Sequence, residues 1–168
     1  AGAKWFAVSC LAEALHLRSG GVTGEILILG HTDPACAATL ACHRLTQAVF
    51  SPEYARALSD AALEANCRVR CHLKIDTGMG RLGFIARCED DIPACLEQLE
   101  ACFALDGLEI TGMFQHFAVA DSHAVEDVEY TGRQHDLFVQ VKTEVEARGH
   151  QLRTVHCCNS AALVEHPE

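Results

Sequence analysis

Short apolar runs alternate with helical stretches along this chain, and that alternation constrains its fold more than any other feature. The apolar runs have the length of strands. The predicted strands are Lys4–Val8, Glu25–Leu29, Leu45–Val49, Val69–Ile75, Leu108–Phe114 and Arg153–Cys157. The predicted helices are Cys10–Ser19, Pro34–His43, Pro52–Asn66, Asp91–Leu105 and Val125–Arg148. This order predicts an α/β fold in which successive βα units surround a parallel sheet.

Several predicted helices carry ordinary start and stop residues. Asp33-Pro34 and Ser51-Pro52 each place a capping side chain before a first-turn proline, and Gly20 and Gly149 are stops. No composition break or flexible linker divides the chain. The sequence therefore predicts one domain with six strands.

An open doubly wound sheet and a barrel both fit six such strands, and one strand favours the barrel. In Cys71–Asp76 the odd positions are apolar, whereas His72, Lys74 and Asp76 are polar. One face would pack on helices and the other would carry ionisable groups. The inner wall of a barrel that holds a polar ligand has this form, whereas strands buried between two helical layers are apolar on both faces.

Composition excludes several classes of partner. The net charge of −10 would repel nucleic acid and anionic membrane surfaces. The longest apolar runs are far shorter than the ~20 residues of a membrane-spanning helix. The ten cysteines form no C-x-x-C pair, so they are interpreted as core residues in a reducing, cytoplasmic compartment, with Cys88, Cys95 and Cys102 on one buried helical face. Adjacent Cys157 and Cys158 lack a second ligand pair, and no metal site is predicted.

A glycine-rich segment, Thr77–Phe84, directly follows the strand that carries Lys74. Its three glycines permit tight turns that bring Arg81 back over the strand end. In parallel α/β folds, sites form at the C-terminal ends of strands. A lone Gly-x-Gly would be interpreted as a turn with a solvated arginine, but the full string is longer and more specific.

The string His72–Phe84, HLKIDTGMGRLGF, resembles the signature segment of the alanine racemase family, in its N-terminal barrel domain. Further matches occur in the family's order and approximate spacing, and together they cover nearly the whole chain. They are Lys4–Val8 with Glu13-Ala14, Glu25–Gly30, Leu45–Gln47, Gly112–Ala118 with Asp121, and Asn159–Ala162. The resemblance implies a (β/α)₈ barrel that is incomplete, with residues 1–168 holding about six βα units, strands two to seven, truncated at both ends.

The resemblance also implies roles for two residues of the signature segment. Arg81 would approach the phenolic oxygen of a pyridoxal 5'-phosphate cofactor, and Lys74 would support Arg81, carbamylated or not. Burial would lower the pKa of Lys74 and expose a neutral amine that can capture CO₂. The alternative is that Lys74 pairs with Asp76. Arg87 lies outside the motif and is expected to matter less than Arg81.

Three residues further along the chain complete the implied cofactor site. His116 would lie beneath the cofactor ring, although a strand-end histidine without a motif is more often a hydrogen-bonded core residue. Ser160, supported by Asn159, would bind the phosphate at a helix start, where it could equally be a helix cap.

Both proton-transfer groups are expected to lie outside this chain. Its lysines are Lys4, Lys74 and Lys142, none on the family's first strand, and the opposing tyrosine would come from a partner subunit. The resemblance implies a cytoplasmic homodimer that acts on a small amino acid, interconverting L- and D-alanine for peptidoglycan. A serine racemase of the same family and a non-catalytic pyridoxal-phosphate-binding homeostasis protein are the alternatives.

Overall fold

The structure is a computed structural model that describes residues 2–165, and its strands lie close to the predicted positions. The six predicted strands are confirmed, and a seventh of two residues joins them. The strands are β1 Trp5–Val8, β2 Glu25–Ile28, β3 Leu45–Val49, β4 Val69–Asp76, β5 Phe84–Ile85, β6 Leu108–Phe114 and β7 Thr154–His156. The α-helices are α1 Leu11–Ser19, α2 Ala37–Cys42, α3 Pro52–Glu64, α4 Ile92–Phe103, α5 Val125–Ala147 and α6 Ser160–Glu165. Short 3-10 helices cover Pro34–Cys36 and Glu89–Asp91.

The predicted helix signals act as local physical chemistry requires. The Asp33 side chain accepts from Ala35 N–H at 2.9 Å, although the turn it caps is a 3-10 helix that runs into α2. Ser51 caps α3 by accepting from Tyr54 N–H at 3.2 Å, with Pro52 in the first turn. These side chains satisfy backbone N–H groups that have no partner within the helix.

The sheet has its strands in the order β1-β2-β3-β4-β6-β7, with β5 paired to β4. Each strand pair whose register is defined is parallel, for example Trp5 opposite Glu25 and Gly112 opposite Thr154. The order follows the chain without the reversal that marks a doubly wound sheet. The fold class is therefore the predicted one, an incomplete (β/α)₈ barrel.

The chain divides into two compact units. The first comprises residues up to His72 together with Ala101–Thr111, and the second comprises Leu73–Glu100 and the residues from Gly112 onward. The first unit buries β2, β3 and one face of α3. In the same unit Arg18 donates to four backbone carbonyls, those of Val22, Gly24, His43 and Arg44. All predicted site residues lie in the second unit.

The interpretation of Cys88, Cys95 and Cys102 as one buried helical face is wrong in part. Cys95 and Cys102 are buried in α4, but Cys88 precedes the 3-10 helix and is exposed. The seven-residue spacing suggested one helix, yet the chain turns between Cys88 and Cys95. Cys71 is the remaining buried cysteine, and several others are exposed, so the cysteines are core residues only in part. Over residues 2–165, no helix combines the length and the apolarity that crossing a bilayer requires.

We expect residues 1–168, expressed alone, to associate through a strand edge. In the second unit β7 pairs with β6, and Val155 at its centre is 36% exposed. Exposed strand edges template pairing with other chains, and a charge on the edge strand opposes it. Val155→Lys should therefore lower the apparent mass measured by light scattering. Val128→Lys, an exposed valine on α5, is the control. A monodisperse wild-type chain would contradict this prediction.

Candidate functional site

Strand β4 is buried on both faces at its C-terminal end. Every residue from Cys71 to Thr77 is buried, and Lys74 and Asp76 are only 5% and 3% exposed. The polar alternation predicted from sequence is present, but its side chains are enclosed by protein to the same extent as the apolar ones. A buried lysine or aspartate requires a partner or a changed pKa.

The glycine loop, residues 77–83, leaves β4 and returns to lie beside it. The short strand β5 pairs in parallel with the end of β4, with Phe84 opposite Ile75. Gly83, at φ +136°, passes so close to β4 that a Cβ there would lie 2.7 Å from Asp76 N. A Cβ on Gly78 would lie 2.2 Å from the Tyr130 hydroxyl. The motif glycines are therefore required by backbone conformation and by close approach.

The Asp76 carboxylate organises this loop. Its Oδ1 accepts from Gly78 N–H at 3.1 Å and from Gly80 N–H at 3.0 Å. Its Oδ2 accepts from Arg87 Nε at 3.1 Å and from Arg87 Nη2. Burial opposes ionisation, but the hydrogen bonds from Arg87 and the two glycines outweigh it and hold the Asp76 pKa below its ordinary value.

Two expectations from the sequence change as a result. The alternative that Lys74 pairs with Asp76 is not supported, because the carboxylate is hydrogen-bonded by Arg87 and the loop backbone. Arg87, which was placed outside the motif, is the ionic partner of a motif residue. The pair joins residues eleven positions apart, so the motif string alone did not reveal it.

The electrostatics of Lys74, Arg81 and His116 are coupled, with Lys74 and Arg81 as the two basic side chains of the group. Burial lowers the pKa of Lys74, and the positive charge of Arg81 lowers it further, while Asp76 acts in the opposite direction. Burial also lowers the pKa of His116, with further contributions from Arg81 and Lys74. These effects require the three groups to be within electrostatic range of one another.

Aromatic rings stand beside this cationic group. The Lys74 ammonium lies 5.8 Å from the centre of the Phe114 ring, which is within the range of a cation–π contact. Phe114 in turn stacks on His156 with ring centres 4.9 Å apart and planes within 5°. Burial lowers the pKa of His156, which favours its neutral form. The site therefore combines positive charge with flat apolar surfaces.

Helix α5 is tied to the strand ends by a chain of hydrogen bonds. Gln134 donates to Thr77 Oγ1 at 3.3 Å, and Thr77 donates to Gln115 Oε1 at 3.1 Å. Gln115 donates to the Cys157 carbonyl at 3.4 Å, and Tyr130 donates to the Gly78 carbonyl at 2.9 Å. These bonds link the segments that follow β4, β6 and β7.

Asn159 and Ser160 begin α6, beyond the end of β7. The Asn159 side-chain oxygen accepts from Ala162 N–H at 2.9 Å, so Asn159 is the helix cap and Ser160 is the first helical residue. The capping alternative considered for Ser160 thus belongs to its neighbour. Ser160 is exposed and follows β7, whereas Lys74 lies on β4 and His116 follows β6.

Sequence reasoning missed Arg87, Tyr130 and Gln134. Tyr130 and Gln134 are four residues apart and lie on one face of α5. Gln134 is 1% exposed, and a buried amide normally has a specific hydrogen-bond partner. Gln134, a polar residue among the buried positions of α5, was therefore a signal that could have been used.

The arrangement suits an anionic ligand better than a cation. Among residues 2–165, no three His, Cys, Asp or Glu side chains are grouped as metal ligands. Because Asp76 is bonded to Arg87, the positive charge of Lys74 and Arg81 is only partly balanced. A flat ring that bears anionic oxygens would offset this charge. Pyridoxal 5'-phosphate has this chemistry, so the residues present fit it.

Comparison with known proteins places the chain in a family. Residues 1–168 match the family described as "Alanine racemase, N-terminal domain". An alanine racemase from Desulfovibrio desulfuricans is 41% identical over 99% of this chain and 43% of its own length. Alanine racemase from Clostridium difficile 630, in complex with cycloserine, has a TM-score of 0.86 and 30% identity, over 98% of this chain and 43% of that one.

A histidine racemase from Leuconostoc mesenteroides subsp. sake is also similar, with a TM-score of 0.71 and 29% identity, over 96% of this chain and 40% of that one. The chain spans less than half the length of each of these relatives. The family match includes the residues of the signature segment and of the group of Lys74, Arg81 and His116. The chain therefore belongs to the alanine racemase family and corresponds to its N-terminal domain.

Proposed function

We propose that this chain is the cofactor-binding part of a pyridoxal-phosphate-dependent racemase that interconverts L- and D-alanine. The observation that carries the proposal is the group of Lys74, Arg81 and His116, in which burial and then neighbouring positive charge lower the pKa of Lys74 and of His116. Such a group favours an anionic ligand. The relatives are named alanine racemases, which supports racemisation as the reaction class, and we propose that it proceeds by proton transfer at the α carbon.

Residues of the second unit would hold the cofactor. Arg81 would donate to the phenolic oxygen, and His116 would lie against the ring. Ser160 and the free N–H groups at the start of α6 would bind the phosphate. Asn159 supports this site by capping the helix and so fixing its first turn. When bound, pyridoxal 5'-phosphate supplies an electron sink for the negative charge that develops at the α carbon.

Lys74 would position Arg81 rather than transfer protons. Its lowered pKa increases the neutral fraction of the amine at a given pH, and the neutral amine is the form that adds to CO₂ with loss of a proton. The resulting carbamate is anionic and accepts charge-assisted hydrogen bonds from the Arg81 guanidinium. A carbamylated Lys74 would thus replace repulsion between two cations by attraction.

The proton-transfer groups are proposed to lie outside residues 1–168. Racemisation requires a base on each face of the α carbon, and Lys74 is committed to Arg81 in this scheme. The second base is proposed to come from a partner subunit of a cytoplasmic homodimer. D-alanine supplied in this way would be used for peptidoglycan, and residues 1–168 would form part of one barrel domain.

The choice of substrate is tested directly. We propose alanine because curated relatives carry that name, while one structural neighbour is a histidine racemase. The complete enzyme should be assayed with L-alanine, L-serine and L-histidine by chiral chromatography. Highest kcat/KM for alanine supports the proposal, and highest kcat/KM for serine or histidine replaces the substrate. Cofactor binding without turnover of any would favour the homeostasis protein.

Arg81→Ala should lower kcat/KM of the complete enzyme by about 10²-fold, as removal of one charge-stabilising donor does in other enzymes. Arg148→Ala is the control, because Arg148 is also an exposed arginine of the second unit, and it lies 3.8 Å from Glu100. The control should retain wild-type kcat/KM. Equal rates for the two variants would remove Arg81 from the site.

Residues 1–168 alone, supplied with pyridoxal 5'-phosphate, should not racemise L-alanine. The reason is that neither proposed base belongs to this segment. The measurement is D-alanine formation against a protein-free blank that contains the cofactor, because the cofactor alone catalyses slow exchange. D-alanine formation above that blank would show that a base lies within the segment.

Lys74→Met should raise the free energy of unfolding of the cofactor-free protein at neutral pH, by about 1 kcal/mol, since it removes a desolvated charge. Burial and Arg81 place the folded pKa of Lys74 below its ordinary value of 10.5. The charged lysine therefore destabilises the fold below the folded pKa, and this cost disappears as the pH rises from the folded pKa to 10.5.

Thermal unfolding in CO₂-free buffer, from neutral pH to pH 10.5, measures this difference. Lys142→Met is the control, because Lys142 pairs with Glu146 at 2.8 Å on the surface of α5. That change should alter stability by less than about 0.5 kcal/mol at neutral pH. If Lys74→Met were less stable than wild type at neutral pH, Lys74 would be a stabilising residue and the proposed cost would be wrong.

A further inference from the structure

The glycine loop is closed at its base by one ion pair. Asp76 is the last residue of β4, before the loop, and Arg87 lies two residues beyond β5, after it. Their side chains meet through Nε at 3.1 Å and through Nη2. The backbone between them is also pinned, because Ala86 N–H donates to the Asp76 carbonyl at 3.0 Å. Arg81 lies inside the segment that these contacts enclose.

The same carboxylate holds the loop from within. Asp76 Oδ1 accepts from Gly78 N–H and Gly80 N–H, and both glycines have positive φ, +138° and +73°. Glycine changes readily between such conformations in a flexible chain, so two N–H groups that donate to the same Asp76 oxygen select one backbone path. Gly80 directly follows Met79 and precedes Arg81, so the fixed backbone ends at the arginine.

Arg87 determines whether Asp76 can hold the backbone of the glycine loop. The carboxylate is 3% exposed, and without the guanidinium it would be a buried charge held only by two backbone N–H groups. A buried charge that loses its partner either draws in water or a new cation, or changes its protonation. Lys74 is the nearest alternative cation in the sequence. Loss of Arg87 would therefore free Asp76 to leave the loop.

We infer that Asp76 and Arg87 are positioning residues that hold the Gly78–Gly80 backbone and so keep Arg81 beside Lys74 and His116. The effect of this pair on catalysis rests on the proposed function, whereas its effect on the position of Arg81 does not. Asp91 supports the arrangement, because its Oδ2 accepts from Arg87 N–H at 2.9 Å. The pair acts on the site through Arg81 and does not itself contact the ligand.

The test uses Lys74 as a reporter of where Arg81 lies. Cyanate reacts with neutral amines and is small enough to reach a buried lysine. Peptide mass spectrometry measures the extent of modification of Lys74 relative to that of Lys142 in the same sample. Arg81 lowers the pKa of Lys74, so moving it away slows the reaction at a fixed pH. The measurement is made on the complete, cofactor-free protein in CO₂-free buffer.

Four variants separate the inference from simpler effects. We expect Arg87→Ala and Arg81→Ala each to slow cyanate modification of Lys74 by about threefold or more. The double variant should be no slower than Arg81→Ala, because Arg87 acts through Arg81. Arg148→Ala should match wild type. If Arg87→Ala slows the reaction equally when Arg81 is absent, the freed Asp76 carboxylate acts on Lys74 directly, and the inference is overturned.

An unchanged rate in Arg87→Ala would also overturn it. Arg87 is about half exposed, so its replacement should leave a cooperative thermal transition, which circular dichroism checks. If the alanine variant does not fold, Arg87→Gln is used instead. It keeps one donor to Asp76 and should slow cyanate modification of Lys74 by a smaller factor. Hydrogen exchange of the peptide that covers residues 77–83 should be faster in Arg87→Ala and unchanged in Arg148→Ala.

Activity provides an independent readout. In the complete enzyme Arg87→Ala should lower kcat/KM by about tenfold, equivalent to about 1.4 kcal/mol of transition-state stabilisation. Arg87→Lys, which keeps the charge, should recover part of that loss. The double variant with Arg81→Ala should match Arg81→Ala alone. If no variant and no wild type shows turnover, the proposed function fails, while the cyanate result still decides the placement of Arg81.

Discussion

The site in the second unit depends on one buried carboxylate. Asp76 ends β4 and bonds to two glycines of the loop and to Arg87. A carboxylate that is nearly inaccessible to water would ordinarily be protonated or paired, and here three donors keep it ionised. The donors lie within the glycine loop and just beyond its end. The hydrogen bonds that stabilise the Asp76 charge therefore also fix the backbone of the loop.

The remaining charges in this region are arranged at a cost to stability. Lys74 and His116 both have pKa values below their ordinary range, because burial and the positive charge of Arg81 disfavour their protonated forms. A protein selected for stability alone would replace such groups by apolar side chains. The anionic cofactor that we propose for this site would supply the missing negative charge.

The sequence predicted the strands and helices around the site, but not the side-chain contacts that connect them. Strand β4, the glycine loop and α5 follow from local composition, since strand length, glycine content and helix ends are encoded within a few residues. The bond from Asp76 to Arg87 and the bonds from Tyr130 and Gln134 join residues distant in the chain. Nothing in local periodicity indicates which distant side chain will satisfy a buried oxygen.

Smaller errors have similar causes. Strand β5 has two residues and is defined by its pairing with β4 rather than by an apolar run, so no sequence pattern predicted it. Cys88 matched the spacing of Cys95 and Cys102 but lies before a 3-10 turn that changes direction. Asn159, rather than Ser160, caps α6, because the capping residue is the one just outside the first helical turn, and sequence locates helix ends only to within a few positions.

The hydrogen bonds of α5 have a mechanical consequence. Tyr130 donates to the carbonyl of Gly78, and Gln134 donates to the hydroxyl of Thr77. Two successive turns of one helix are thus hydrogen-bonded to consecutive residues of the glycine loop. A helix is stiff along its axis, and a slide by one turn, about 5.4 Å, would break both bonds at once. Opening of the loop is therefore coupled to the position of α5. Any movement that lifts residues 77 and 78 must either break these bonds, at about 1 kcal/mol each, or carry the first turns of α5 with it.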